Sequence, residues 1–194
     1  MPPESEHPFK STWHLWYNPA PSYDVVQKTY NGDYGAATVA MMKHIAPMKT
    51  VEDLWSAFSV MPPPRLLPVN DTIALLRGSK KPTFEDFPGG GRVILTCIPE
   101  LADKLVERVL IAVTGQQTEL ALKEVDDQEE RESVCSAVRI ARRKKKTEDN
   151  LRVEVWLTST ANASTLKAFF ERILQEDNVG GVQSSIEDFS SAPK

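Results

Sequence analysis

The chain has 194 residues and a formal charge of −4, with 23 Lys and Arg against 27 Asp and Glu. An apolar share of 41% supplies a real core and excludes a wholly disordered chain. No apolar run approaches the roughly 20 residues of a membrane helix, and the mildly acidic total argues against a general nucleic-acid coat while leaving a local phosphate site open.

The length predicts one domain, about residues 7–188, with loose ends at 1–6 and 189–194. The start has no basic cluster followed by an apolar stretch, so it does not read as a signal peptide. Two cysteines, Cys97 and Cys135, are too few for a disulfide scaffold and read as small buried residues of an intracellular, cytoplasmic protein, with the nucleus also open. Charge is uneven along the chain. Residues 119–132 hold seven acids and two bases, and residues 139–152 hold seven bases and two acids. Each segment reads as a solvated loop, and the basic one also as an anion site.

In chain order, Trp13-His14-Leu15-Trp16-Tyr17 reads as a strand. Residues 18–35, with Pro19, Pro21, Gly32 and Gly35, read as a long loop, and 36–48 suit either a strand or a helix. Thr50 reads as an N-cap with Glu52 and Asp53 in the first turn. Val51, Leu54, Trp55 and Phe58 follow at helical spacing, and Pro62-Pro63-Pro64 stops the helix. Residues 71–76 read as a strand, 79–91 as a second long loop and 92–98 as a strand. Leu101, Leu105, Val109 and Ala112 form a helical stripe ending at Gly115. Strands at 134–142 and 151–158 flank the basic segment. In the second, Val153, Val155 and Leu157 share one face and Arg152, Glu154, Trp156 and Thr158 the other. Leu166, Phe169, Phe170 and Ile173 mark a last helix before a strand at 182–188. The short connections predict an α+β fold with a mainly antiparallel sheet and helices on one face.

Enzyme signatures are absent. Gly89-Gly90-Gly91 leads into Arg92 rather than a phosphate-loop lysine, and His7, His14 and His44 have no metal-ligand spacing. His14 reads as a packing or surface residue. The distinctive residues are aromatic, acidic and basic, and they fall in recurring blocks.

His7-Pro8-Phe9 followed by Trp13-His14-Leu15-Trp16-Tyr17 is similar to the HPL…WxLWF opening of the eukaryotic translation initiation factor 4E family, the messenger-RNA cap-binding proteins. Thr50-Val51-Glu52-Asp53-Leu54-Trp55 resembles that family's TVEDFW. Phe84-Glu85-Asp86 with Gly90-Gly91-Arg92 resembles WED…GGR, Cys135 through Arg142 resembles CGAVVNVR, and Val155-Trp156-Leu157-Thr158 resembles the IWT strand. The blocks stand in family order across about residues 7–160. The resemblance implies a curved antiparallel sheet of about eight strands, three helices on its convex face and a cap slot on its concave side. It implies a binding module rather than an enzyme, with no cofactor and no metal.

The residue roles follow from the same resemblance. N7-methylation makes guanine a flat cation, suited to a slot between aromatic rings. Phe84 stands at the second stacking position, where the family has Trp. The first position has no Trp here; Tyr34 is the candidate and Tyr30 the second choice. Glu85 matches the carboxylate that accepts from guanine N1–H and the exocyclic amine. Trp156 matches the tryptophan that touches the N7-methyl group. Arg142 and Arg152 match the phosphate-binding positions, and Lys144, in the basic run 143–146, extends the set. On the convex face, His7, Pro8, Val51 and Trp55 match the surface that takes a helical peptide from a scaffold or repressor protein. Glu107 and Arg108 depart from the family's leucine and glutamate there, which predicts a divergent partner motif.

Overall fold

The computed structural model describes residues 6–123, 134–145 and 148–191. Most of the acidic segment and Lys146 lie outside these.

Strand β1 (Pro8–Asn18) alternates Trp13, Leu15 and Tyr17 with His14 and Trp16, as a half-buried strand should. The segment after it is not one loop. It forms α1 (Tyr23–Tyr30) and α2 (Tyr34–Met41), then β2 (Lys43–Thr50). Pro19, Pro21 and Gly32 flank these short helices, and Gly35 lies in the first turn of α2. Ser22 caps α1 by accepting from the Val25 N–H at 3.3 Å, and Asp33 caps α2 by accepting from the Ala36 N–H at 2.9 Å. The ambiguity over 36–48 thus resolves into a helix followed by a strand.

Helix α3 (Val51–Val60) starts where the sequence predicts. Thr50 Oγ1 accepts from the Asp53 N–H at 3.0 Å, and Asp53 Oδ2 accepts from the Thr50 N–H at 3.1 Å. This capping box satisfies two donors that would otherwise be orphaned. Then come β3 (Thr72–Arg77), β4 (Gly91–Cys97), α4 (Ala102–Thr114), α5 (Gln117–Ala121), β5 (Cys135–Lys145), β6 (Glu148–Leu157), α6 (Ala163–Glu176) and β7 (Gln183–Asp188). Helix α4 ends at Gly115, whose N–H donates to the Ile111 carbonyl at 2.9 Å and where a Cβ would lie 2.6 Å from that oxygen, so glycine is needed.

The strands form one curved sheet in the order β2-β1-β3-β5-β6-β4-β7, every pair antiparallel. Seven strands are present among the described residues, against about eight expected. The main core joins one sheet face (Leu15, Leu75, Val93, Leu95, Val138, Ile140, Val153, Val155) to Leu54 of α3, Leu105 and Val109 of α4, and Leu166 and Phe170 of α6. The three longest helices therefore back a single face, and the other face is free of them. Cys97 and Cys135 are free thiols, both buried. No helix among the described residues is long and apolar enough to cross a membrane.

The basic segment departs most from expectation. It is not a loop but the end of a hairpin whose ladder runs to Lys145↔Glu148. Lys144 lies opposite Asp149, a cross-strand pairing that lets strand structure persist through a dense run of bases.

Candidate functional site

The period of two along β6 puts Arg152, Glu154 and Trp156 on the helix-free face, with Val153 and Val155 in the core. Register carries that face to the neighbours. Ala137 lies opposite Trp156 and Arg139 opposite Glu154 on β5, while Arg92 lies opposite Trp156 on β4.

Trp156 lies in a second apolar cluster with Ala74, Leu76, Phe87 and Ala137. The two alanines leave room for an indole on the sheet surface. Phe84 stacks on Trp156 with centroids 5.2 Å apart and planes at 24°. Phe87 meets the indole edge-on at 5.3 Å, and Phe189 at 4.9 Å. These rings leave Trp156 only 2% exposed, so it is on the expected face but covered. Phe84, at 39% exposure, is the outer ring of the stack. The Arg92 guanidinium lies 5.4 Å from the Phe84 centroid, so this ring already faces one cation.

The loop before β4 presents Phe84 on a one-turn 3-10 helix, Phe84–Asp86. Its Phe87 N–H donates to the Phe84 carbonyl at 3.0 Å, and the Lys81 N–H donates to Asp86 Oδ2 at 2.7 Å. Gly90 lets the loop close on the sheet: a Cβ there would fall 2.4 Å from the Leu157 carbonyl oxygen. Glu85, on the same turn, is exposed and makes no side-chain hydrogen bond or ion pair among the described residues.

Beside the rings is an ionic cluster. Glu154, 1% exposed, receives the Trp156 Nε1–H at 2.8 Å and Arg92 Nη1–H at 2.9 Å on Oε2. Its Oε1 receives Arg139 Nη1–H at 3.1 Å and pairs with Arg152 Nε at 2.9 Å. Glu187 of β7 accepts from Arg92 Nε at 2.7 Å and Arg152 Nη2 at 3.2 Å. Burial pushes the Glu154 carboxyl pKa up, but Arg139, Arg92 and Arg152, with the indole bond, hold it below the usual range. Arg143 faces the same side and donates to Asn70 Oδ1 at 3.2 Å. Four guanidiniums against two carboxylates leave this face net positive.

The predicted phosphate set is split by register. Arg152 shares the face of Trp156. Arg142 and Lys144 have the parity of Val138 and Ile140 and lie on the helix side. Arg142 is engaged there, donating from Nε to Asp149 Oδ1 at 2.9 Å and from Nη1 to the Leu67 carbonyl at 3.3 Å. Arg139 and Arg143 are the β5 arginines on the Trp156 face.

Tyr34 opens α2 with its ring exposed. It is near enough to act on the Arg143 charge, which burial and Arg139 hold below the usual arginine range. Tyr30 ends α1 half-buried.

On the helix side, the Val51 N–H donates to the His7 carbonyl at 2.9 Å, and Pro8 pairs with Thr50. His7 Nδ1 lies 2.7 Å from Glu52 Oε1, tying the β1 start to α3. Trp55 is half-buried and meets Phe58 edge-on at 6.5 Å. Arg108 pairs with Asp177 and donates to Gln117 Oε1 at 3.0 Å, whereas Glu107 is exposed. His14 and His44 lie ring to ring across β1 and β2, Nδ1 to Nε2 at 2.9 Å.

Sequence reasoning put Glu154 on this face without giving it a role, held Arg143 only as part of the basic run, and missed Phe189, Arg92 and Arg139 as members of this face. The β6 alternation does put Glu154 between Arg152 and Trp156, which was a usable signal. Phe189 carried none, since it falls in a segment read as a loose end.

The fold and the site define a single-sheet α+β protein with its three longest helices behind and an aromatic–arginine face in front. A family model described as eukaryotic initiation factor 4E matches residues 8–187, and the chain belongs to that family. Eukaryotic translation initiation factor 4E of Eremothecium gossypii is 26% identical over 180 residues, covering 89% of this chain and 74% of that one. Two solved structures share the fold. Caenorhabditis elegans eIF4E-3, in complex with the 4E-binding protein Mextli and a cap analog, gives a TM-score of 0.67 at 19% identity over 93% of this chain and 92% of that chain. Ascaris suum eIF4E-3, in complex with an m2,2,7G cap, gives 0.68 at 20% identity over 98% and 96%.

Proposed function

We propose that this protein binds the 7-methylguanosine triphosphate cap of messenger RNA on the helix-free face of its sheet and acts in translation initiation. The observation that carries the reading is the Phe84–Trp156 stack, with an unpartnered Glu85 on the same turn and arginines beside it. A methylated guanine is a flat cation, and a cation is what these rings attract. The base enters as Phe84 swings outward on its short turn, taking one ring face and bringing the methyl group toward Trp156. Tyr34, exposed and near enough to act on the Arg143 charge, closes the opposite side. Glu85 accepts the N1–H and amine pair that guanine offers and adenine does not. Arg152, Arg139 and Arg143 take the phosphates, where forked guanidiniums suit tetrahedral oxyanions.

The helix side supports a partner protein. His7, Pro8, Val51 and Trp55 form a continuous surface around the start of α3, fit for an amphipathic helical peptide of a scaffold or repressor. Arg108 is already neutralised by Asp177, so Glu107 is the charge that a partner meets, and a basic residue in the peptide answers it.

A second reading is favoured by the covered state of Trp156. A protein whose own Phe84 fills the slot is a translational repressor or interaction module that binds caps weakly. Titration with 7-methyl-GTP and GTP, followed by tryptophan fluorescence, separates the two. Strong, methyl-dependent quenching supports the initiation-factor reading. Equal weak responses to both nucleotides support the second and overturn the first.

A further inference from the structure

Glu154 is the least exposed ionised group on this face, and its surroundings are unusual. A carboxylate offers about four acceptor positions. Here three receive hydrogen bonds, from Trp156, Arg92 and Arg139, and Arg152 pairs with the carboxylate as a fourth contact. Three arginines suffice to hold a buried carboxylate. The bond from the indole is an addition that the charge balance does not require, and it reaches only two residues along the same strand.

That bond has an electronic consequence. An indole whose N–H donates to a carboxylate gains electron density over its ring, because linked hydrogen bonds in a low-dielectric setting polarise one another. A richer ring attracts a cation more strongly. We infer that Glu154 is a positioning residue which, through the Trp156 indole, sets the preference for a positively charged N7-methylated base over an uncharged one. The inference rests on the cap reading above and names what in that site discriminates methylation. Two features of Glu154 fit the role. The same Oε2 that receives the indole also receives Arg92, which fixes the oxygen against rotation. The carboxylate is also held ionised, so it carries its full charge at neutral pH.

The competing role is structural: Glu154 merely holds the arginines in place. The two roles differ in what they do to a ratio. Removing a negative charge from an arginine cluster changes the attraction for a triphosphate equally for 7-methyl-GTP and GTP. Only an effect on the base changes their ratio. The test is calorimetric titration of wild type and Glu154→Gln with both nucleotides. Gln keeps the volume and one acceptor oxygen but loses the charge. The expected result is a fall in methyl preference of roughly three- to tenfold, with GTP binding held or strengthened. Should Glu154→Gln fail to fold by circular dichroism, Glu154→Asp is titrated in its place: it keeps the charge in the cluster but draws the carboxylate back from the indole and from Arg92 together, and a fall in the methyl preference is again the expected result. A ratio that survives in the folded variant, with both affinities moving by one factor, overturns the inference and leaves the cap reading standing. A wild type that does not itself prefer 7-methyl-GTP overturns the cap reading and this inference together.

Discussion

Arg142 and Asp149 clasp the β5–β6 hairpin on the helix side of the sheet, Nε to Oδ1 at 2.9 Å and Nη2 to Oδ2 at 2.5 Å. Arg152, one residue past the Leu151 that faces Arg142, points the other way. The two arginines therefore separate in their effects. Arg152→Ala is expected to lower 7-methyl-GTP affinity about ten- to a hundredfold, the range for lost charge-assisted hydrogen bonds. Arg142→Ala is expected to lower the melting temperature and to leave affinity within about twofold. Titration and thermal melts of both variants check this, and equal losses of affinity would return Arg142 to the phosphate set.

Glu85 has no side-chain partner among the described residues, so its removal costs the fold little. Glu85→Ala is expected to keep stability within about 0.5 kcal/mol while affinity for 7-methyl-GTP drops at least about tenfold. Urea unfolding beside nucleotide titration measures both. Unchanged affinity in a folded variant removes Glu85 from base recognition.

Thr50 holds the start of α3 through its capping box. Thr50→Ala is expected to cost about 1 kcal/mol in urea unfolding. The same change loosens the first turn of α3, whose Val51 N–H holds the His7 carbonyl, so binding of a partner peptide should weaken while nucleotide affinity stays put. Loss of nucleotide affinity instead would couple the two faces of the sheet.

The Tyr17 hydroxyl donates to Asp71, and that bond, with burial, pushes its pKa from 10.0 up to about 12. In the window between those values the unfolded tyrosine is ionised and the folded one is not. The contribution is thus intact below pH 10.0 and disappears as pH climbs toward about 12. Urea midpoints taken at about pH 8 and about pH 11 should show the decline in wild type and a smaller one in Tyr17→Phe. Identical declines would mean that other groups govern the alkaline limit.

What the sequence disclosed depended on how local each cause was. The Thr50 cap and the α4 stripe are decided within a few residues, and both elements begin and end as their side chains predict. The face of Trp156 came from alternation along one strand. The face of Arg142 did not, because it is set by the register of β5 on β6 across a hairpin that reads as a solvated loop. Helices α1 and α2 were hidden because Pro19, Pro21 and Gly32 dominate a segment whose caps, Ser22 and Asp33, are single residues. The place of Phe189 was beyond reach, since its contacts lie on strands and turns far away along the chain.

Strand β7 holds the sheet edge through β4 alone and delivers Phe189 directly onto Trp156. Among the described strands β7 comes last in chain order, after the other six. The other six strands are contiguous without β7, and Phe189 covers one side of the indole that they carry. The aromatic cluster is therefore complete only where β7 is paired with β4, which ties the outermost strand to the centre of the candidate site.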